Sequence, residues 1–88
     1  MRKNSFADIV QNVVRQIPKG ETRSYAAVAK AAGHPRAARA VGTVMRNNYD
    51  PTVPCHRVIR SNGKIGDYNR GGLESKKRLL RAEGVPGI

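Results

Sequence analysis

The chain is short of acidic residues, aromatic residues and cysteine. Of its 88 residues, six are Asp or Glu and 17 are Lys or Arg, and it has no Trp, one Phe and one Cys. A single cysteine excludes an internal disulfide, which is typical of a reducing compartment. No run of about 18 apolar residues is present, which excludes a membrane span. We therefore expect a cytoplasmic protein that does not enter the membrane.

The excess of basic residues is the strongest bulk signal. The formal net charge is +11, which in a domain of this size indicates a polyanionic partner such as nucleic acid. The alternative is a basic surface of the ribosomal kind, or one that serves solubility alone. Basic residues occur from Arg2 to Arg81, so the charge belongs to the domain rather than to a tail.

Apolar periodicity predicts four helices. The first covers 5–17, with Ser5 as N-cap and Asp8 completing a capping box. Ser24 caps a second helix that stops at Gly33, and a third opens at Pro35 and continues to about residue 47. Two helices around a glycine turn have the layout of a helix-turn-helix, although the layout alone is weak evidence. The last helix is predicted over 73–83.

A short β element is predicted between the third and fourth helices. CHRVIR, residues 55–60, is β-branched and strand-like, and the SNGK that follows is a turn. The expected fold class is α+β and mostly α: one winged helix-turn-helix-like domain over 1–88, with a short β-ribbon.

The third predicted helix has a composition that suits a DNA groove. Arg36 and Arg39 lie on its polar face, with Ala37, Ala38 and Ala40 between them. Small alanine side chains allow close approach to a groove while the arginines meet phosphates or a base step. The alternative is that alanine is present only as a good helix former.

The only cysteine is followed directly by a histidine. A thiol reacts as thiolate, and a histidine oriented by an acid such as Glu83 is a common way to activate it. Because neighbouring residues of a strand point to opposite faces, Cys55 and His56 can share a site only if the chain turns or a water bridges them. The alternatives are a buried core cysteine and a metal site. His34, His56 and one Cys lack a recognised zinc spacing, so no metal or cofactor is expected.

Three segments together resemble one known family. VPCHRVI, residues 53–59, resembles the active-site motif of the O6-alkylguanine-DNA alkyltransferases, also called methylated-DNA–protein-cysteine methyltransferases. Residues 23–48 resemble their helix-turn-helix, and residues 65–85 their closing segment. The resemblance implies single-turnover repair of double-stranded DNA containing O6-alkylguanine by a protein that acts as a monomer.

The resemblance also implies roles at the reacting centre. Cys55 matches the acceptor of the alkyl group, and His56 matches the base that takes the thiol proton through a water. Glu83 matches the acid that orients the histidine. Asn48, chosen over the adjacent Asn47, matches the asparagine of the same hydrogen-bond network.

The remaining implied roles concern DNA and the flipped base. Arg39 resembles the finger that fills the space left by the base, and Tyr25 resembles the tyrosine that crowds the target phosphate. The full set expected at DNA is Tyr25, Arg36, Ala37, Ala38, Arg39 and Arg46. The set expected at the base pocket is Val53, Pro54, Tyr68, Asn69 and Arg70.

The sequence departs from the family in three places, and two other functions stay open. Full-length members usually carry an N-terminal domain before this one, Tyr49 stands where proline is frequent, and Asn69-Arg70 replaces a tighter loop. The first alternative is an alkyltransferase-like lesion sensor, a class that usually has Trp or Ala in place of the acceptor cysteine, so Cys55 argues against it. The second is a plain helix-turn-helix regulator, which leaves His56 and Glu83 unexplained.

Overall fold

Four helices and two short strands form the fold of the residues that the structure describes. The computed structural model describes residues 5–66, 68 and 71–88. In chain order the elements are α1 (Phe6–Arg15), β1 (Arg23–Ser24), α2 (Tyr25–Ala31), α3 (Ala38–Arg46), a single 3-10 turn (Cys55–Arg57), β2 (Val58–Ile59) and α4 (Gly72–Ala82). In this described part of the chain, no helix is long and apolar enough to cross a membrane.

The first helix begins as predicted and ends slightly earlier. The Ser5 hydroxyl accepts from the Asp8 N–H, and the Asp8 carboxylate accepts from the Ser5 N–H, so the capping box is confirmed. At the other end, the N–H groups of Gln16 and Ile17 bond to carbonyls only three residues back. The last turn therefore tightens and closes the helix before Pro18.

The helix-turn-helix is present, but its second helix begins later than predicted. Ser24 caps α2 through the Ala27 N–H, as expected. Pro35 does not open α3: the Ala37 N–H bonds to the His34 carbonyl at 2.9 Å, which places Pro35 inside a tight turn. Proline favours the second position of such a turn, and this preference prevails over its preference for a first helical turn. Arg36 consequently lies in the connection, not on the polar face of α3.

The predicted strand over 55–60 is wrong for its first half. Residues 55–57 form the 3-10 turn, and only Val58 and Ile59 pair with another strand. Their partners are Arg23 and Ser24, and the pairing is parallel rather than the hairpin of a ribbon. Parallel strands need a long crossover, which α2 and α3 supply. This pairing places Val58 and Ile59, which follow the 3-10 turn, beside the two residues that precede α2.

The core is formed by the first three helices together with the segment around the 3-10 turn. Its residues are mostly valine and alanine: Val10, Val14, Ile17, Val28, Ala29, Ala32, Val41, Met45, Val53, Cys55 and Val58. Since Cys55 is packed in this cluster at 4% exposure, its position is determined by the whole domain rather than by its own loop.

Candidate active site

Cys55 and His56 lie on the 3-10 turn, not on a regular strand. A helix with three residues per turn rotates successive side chains by about 120° instead of the 180° of a strand. Cys55 therefore faces a cavity beside α3, while His56 faces the end of α4. A chain turn at this point was one of the two conditions under which Cys55 and His56 could share a site, and it is present. Pro54, with φ −79° and ψ 66°, leads into it.

His56 lies against the carboxylate predicted to orient it. Its Nε2 atom is 3.0 Å from Oε2 of Glu83, and both side chains are about seven-eighths buried. The distance fits an ion pair, although the contact does not meet the geometric requirements of a hydrogen bond. We assign the proton of the neutral imidazole to Nε2 because that atom faces the carboxylate, which leaves Nδ1 as the acceptor.

Glu83 is held mainly by a residue to which the sequence assigned no role. Arg57 donates from Nε to Oε1 at 2.9 Å and from Nη2 to Oε2 at 2.6 Å. Its Nη1 donates to the carbonyl of Ile17 at 2.8 Å, at the end of α1. The hydrogen bonds from Arg57, helped by the contact with His56, lower the pKa of Glu83 to about 2. Glu83 is therefore a carboxylate throughout the neutral range, as an orienting acid must be.

The cavity beside Cys55 lies at the helix-turn-helix. Its volume is about 620 Å³, within the range of small-molecule sites, about 300–1,000 Å³. The described residues that line it are Tyr25, Ala38, Arg39, Gly42, Met45, Arg46, Cys55, Arg60, Ser61 and Tyr68. They include three arginines and no Asp or Glu. The lining is therefore positively charged, which favours a ligand attached to a polyanion.

The two tyrosines of the cavity are held by different neighbours. The Tyr68 ring lies edge-on to the His56 ring, with 6.4 Å between centroids. The Nζ atom of buried Lys76 lies 5.9 Å from the centroid of the Tyr25 ring and donates to the Ile65 carbonyl at 2.7 Å. Helix α4 thus supplies Lys76, which contacts one tyrosine of the cavity, and ends at Glu83, which contacts His56.

The asparagine doublet is divided by the end of α3. Asn47 is the C-cap and is exposed, while Asn48 is 2% exposed. The Oδ1 atom of Asn48 accepts from the Asp50 N–H at 3.3 Å. Of the two, only Asn48 is buried in the domain.

Four residues predicted at DNA or at the base pocket are not among the described residues that line the cavity. Arg36 is exposed in the turn before α3, and Ala37 packs against the core. Val53 and Pro54 do not line the cavity, because the Val53 side chain is fully buried in the core and Pro54 leads into the 3-10 turn. Two further residues that were predicted at the base pocket, Asn69 and Arg70, lie outside the described residues.

Other cavity residues were missed by the sequence analysis. Met45 and Gly42 lie one turn apart on α3, and Arg60 and Ser61 follow β2. A signal for the first pair was available, since Ala38, Gly42, Met45 and Arg46 share one face of a helix. No local signal marked Arg60, whose place in the cavity depends on the strand pairing. Nowhere in the described residues do three or more His, Cys, Asp or Glu side chains form a group that could hold a metal ion.

Fold and site together define a helix-turn-helix domain that carries its cysteine in an arginine-lined cavity. The chain belongs to the family described as the 6-O-methylguanine DNA methyltransferase, DNA binding domain, whose model matches residues 5–85. A methylated-DNA–protein-cysteine methyltransferase from Cricetulus griseus is 47% identical over 87 residues, which are 97% of this chain and 42% of that protein. The chain spans about half the length of the curated relatives it matches.

Two kinds of solved structure are similar to this chain. The structure of Mycobacterium tuberculosis OGT in complex with DNA is 43% identical, with a TM-score of 0.86, and the match covers 97% of this chain and 53% of that one. S. pombe Atl1 in complex with damaged DNA containing O6-carboxymethylguanine is 36% identical, with a TM-score of 0.82, covering 96% of this chain and 80% of that one.

Proposed function

We propose that this protein repairs double-stranded DNA directly, by moving an alkyl group from O6 of guanine to Cys55. The observation that carries the proposal is the position of Cys55, which opens into the cavity of the helix-turn-helix beside the His56–Glu83 pair. Similarity to the Cricetulus griseus and Mycobacterium tuberculosis proteins supports the same reaction.

The target base must leave the duplex before it can reach the thiol. An alkyl group on O6 is stacked and paired inside DNA, so the nucleotide has to be extruded into a protein pocket. Arg39 lies in the first turn of α3 and is exposed at the cavity, which suits a side chain that enters the space left by the base. Ala38 beside it is small enough to allow the helix to approach the groove.

The reaction forms one bond and breaks one. The Cys55 proton passes through a water to Nδ1 of His56, and Sγ attacks the alkyl carbon. The S–C bond forms as the C–O6 bond breaks, and the electron pair remains on guanine, which takes up a proton from solvent as the His56 imidazolium releases the one it received. Two hydroxyl donors on the cavity wall, Tyr25 and Tyr68, stabilise the leaving guanine. The thioether is stable, so each molecule reacts once.

The buried Arg57–Glu83 ion pair supports His56 as the base of the reaction. Glu83 remains ionised because Arg57 binds it, and the carboxylate stabilises the imidazolium that forms when the proton arrives. Asn48, buried at the end of α3, belongs to the same proposal as the residue that couples this helix to the active-site segment.

We also propose that the protein acts on double-stranded DNA in the cytoplasm, as a monomer. The reducing compartment follows from the chemistry, because an acceptor thiol must stay reduced. Cell fractionation and sedimentation of the protein with and without a duplex test these two points.

A lesion sensor is the second candidate. The similarity to S. pombe Atl1 favours it, because that match covers 80% of the other chain. A sensor binds the flipped base without transfer, and Cys55 would then be a core residue at 4% exposure.

The deciding experiment is the intact mass of the protein after incubation with a duplex containing O6-methylguanine. We expect a gain of one methyl group that maps to Cys55, is absent with unmodified DNA, and is lost in Cys55→Ser while lesion binding remains. Lesion-selective binding without a mass gain would assign the protein to the sensor class. Methylation that survives in Cys55→Ser would refute the acceptor assignment.

A further inference from the structure

The segment between Asn48 and Cys55 is organised around one aspartate. Its two prolines have no N–H, and the other N–H groups from 50 to 55 are all bonded. Three of these four bonds use Asp50: its own N–H donates to Asn48, its carboxylate accepts from Thr52, and its carbonyl accepts from Val53 at 3.1 Å. The fourth joins the Cys55 N–H to the Val53 carbonyl at 2.8 Å.

The same aspartate is fastened to the first helix. Arg15, the last residue of α1, donates to Oδ2 of Asp50 at 3.1 Å and to the Thr52 hydroxyl at 3.3 Å. A third bond of 2.7 Å joins it to Asn12, one turn back, which limits the directions available to the guanidinium. The Thr52 hydroxyl in turn donates to Oδ1 of Asp50 at 2.8 Å. The cluster of Arg15, Asp50 and Thr52, here called the brace, therefore joins α1 to the active-site segment.

Stability alone is a weak reason for such a cluster. The side chains of Arg15 and Asp50 are 37% and 42% exposed, and an exposed ion pair contributes little to the free energy of unfolding. Position is a stronger reason, because a misplacement of about 1 Å at a reacting group can cost about a hundredfold in rate. Asp50 lies three residues before the buried Val53 and five before Cys55.

We propose that Asp50, held by Arg15 and Thr52, is a positioning residue that fixes the segment from Asn48 to Cys55 and thereby sets the thiol in the cavity. The proposal rests on the proposed function for its role in alkyl transfer. It assigns Asp50 no contact with DNA or with the flipped base. Its effect passes through the backbone of residues 50–55.

The test compares Asp50→Ala, Arg15→Ala and the double variant with wild type at saturating lesion DNA. We expect Asp50→Ala to slow methyl transfer about tenfold, with lesion affinity changed less than about twofold. The double variant should be no slower than Asp50→Ala, because two members of one network are not additive. Asp50→Asn keeps an acceptor for the Thr52 N–H, so it should recover part of the lost rate and serves if Asp50→Ala does not fold.

Glu21→Ala is the matched control. Glu21 forms an ion pair of 3.0 Å with Arg23, of similar exposure, but only with a residue two positions away. We expect this variant to transfer at the wild-type rate. If Asp50→Ala is no slower than Glu21→Ala, if rate and affinity fall together, or if the two brace substitutions add, the proposal is overturned.

A second readout does not depend on alkyl transfer. Loosening the segment should expose the buried thiol, so iodoacetamide should alkylate Cys55 faster in Asp50→Ala than in Glu21→Ala under native conditions, at matched Tm. Equal iodoacetamide rates would contradict the brace. If the wild-type protein transfers no methyl group, the proposed function is refuted instead. The iodoacetamide comparison alone would then test whether Asp50 positions the segment from Asn48 to Cys55.

Discussion

Arg57 binds Glu83 through both carboxylate oxygens, at 2.9 and 2.6 Å, while His56 approaches one of the same oxygens at 3.0 Å. One carboxylate thus serves a permanent cation and a titratable base. The arginine also bonds the Ile17 carbonyl, so the acid of the site is anchored to α1 as well as to its own helix.

Arg57→Lys should destabilise the domain, although it keeps the charge. An ammonium group cannot form the two parallel hydrogen bonds that the guanidinium donates to Glu83. We expect a loss of about 1–3 kcal/mol in the free energy of unfolding, measured in urea. Arg23→Lys, at an exposed ion pair, is the control and should change the free energy of unfolding little. Equal losses in the two variants would show that the bonds from Arg57 to Glu83 add no particular stability.

Stability should fall steeply in acid because of Glu83. Its pKa is about 2 in the folded protein, below the ordinary value of 4.5. The stabilisation is therefore complete above about pH 4.5 and is lost as the pH falls towards 2, because the unfolded chain binds the proton first. In Glu83→Gln the free energy of unfolding should depend less on pH across this interval. The exposed Glu74→Gln serves as control, and parallel curves for wild type and Glu83→Gln would contradict the prediction.

Gly20→Ala should destabilise the contact between the end of α1 and the site. Gly20 has φ +90°, and a Cβ there would lie 3.2 Å from the Glu83 carbonyl oxygen. Gly33 has φ +85° and no atom within 4 Å of its Cβ position, so Gly33→Ala carries the backbone strain alone. We expect each to cost about 1 kcal/mol or more, with the larger fall in Tm for Gly20→Ala. A larger fall for Gly33→Ala would show that the close approach to Glu83 is unimportant.

Arg39→Ala should impair base flipping more than binding. The side chain lies at the mouth of the Cys55 cavity, on the first turn of α3, where it can occupy the gap in the duplex. The measurement is the fluorescence of a base analogue placed at the lesion, alongside the Kd. Arg78→Ala, an exposed arginine of α4, controls for charge. Equal losses of flipping and of affinity would argue against an inserted side chain.

The helical part of the fold was largely predictable from sequence because its signals are local. The capping box of α1 involves residues three apart, and the Ser24 cap and Gly33 stop of α2 are equally local. The start of α3 was wrong because Pro35 satisfies two local patterns, a helix start and a turn. The structure has the turn, with Pro35 at its second position and Ala37 at its end packed against the core.

The site was predictable as a set of residues, and its geometry was not. Cys55 and His56 are adjacent in the chain, and the resemblance of their motif to a known family pointed to Glu83, which lies 27 residues further on than His56. The two atoms that bond Glu83 most closely belong to Arg57, which gave no signal of its own because arginine is abundant in this chain. The place of Arg60 in the cavity likewise depends on the pairing of residues 23–24 with 58–59.

By itself, the sequence determined the charge, the helices and the chemistry that one thiol beside one imidazole makes available, because composition and local hydrogen bonds are properties of neighbouring residues. The tertiary structure alone decided that Cys55 faces the helix-turn-helix while His56 faces Glu83. That outcome needs a 3-10 turn in place of a strand, a parallel pairing across 33 intervening residues and a guanidinium that joins two helices. Each is a contact between distant segments, and such contacts form only when the buried core brings those segments together.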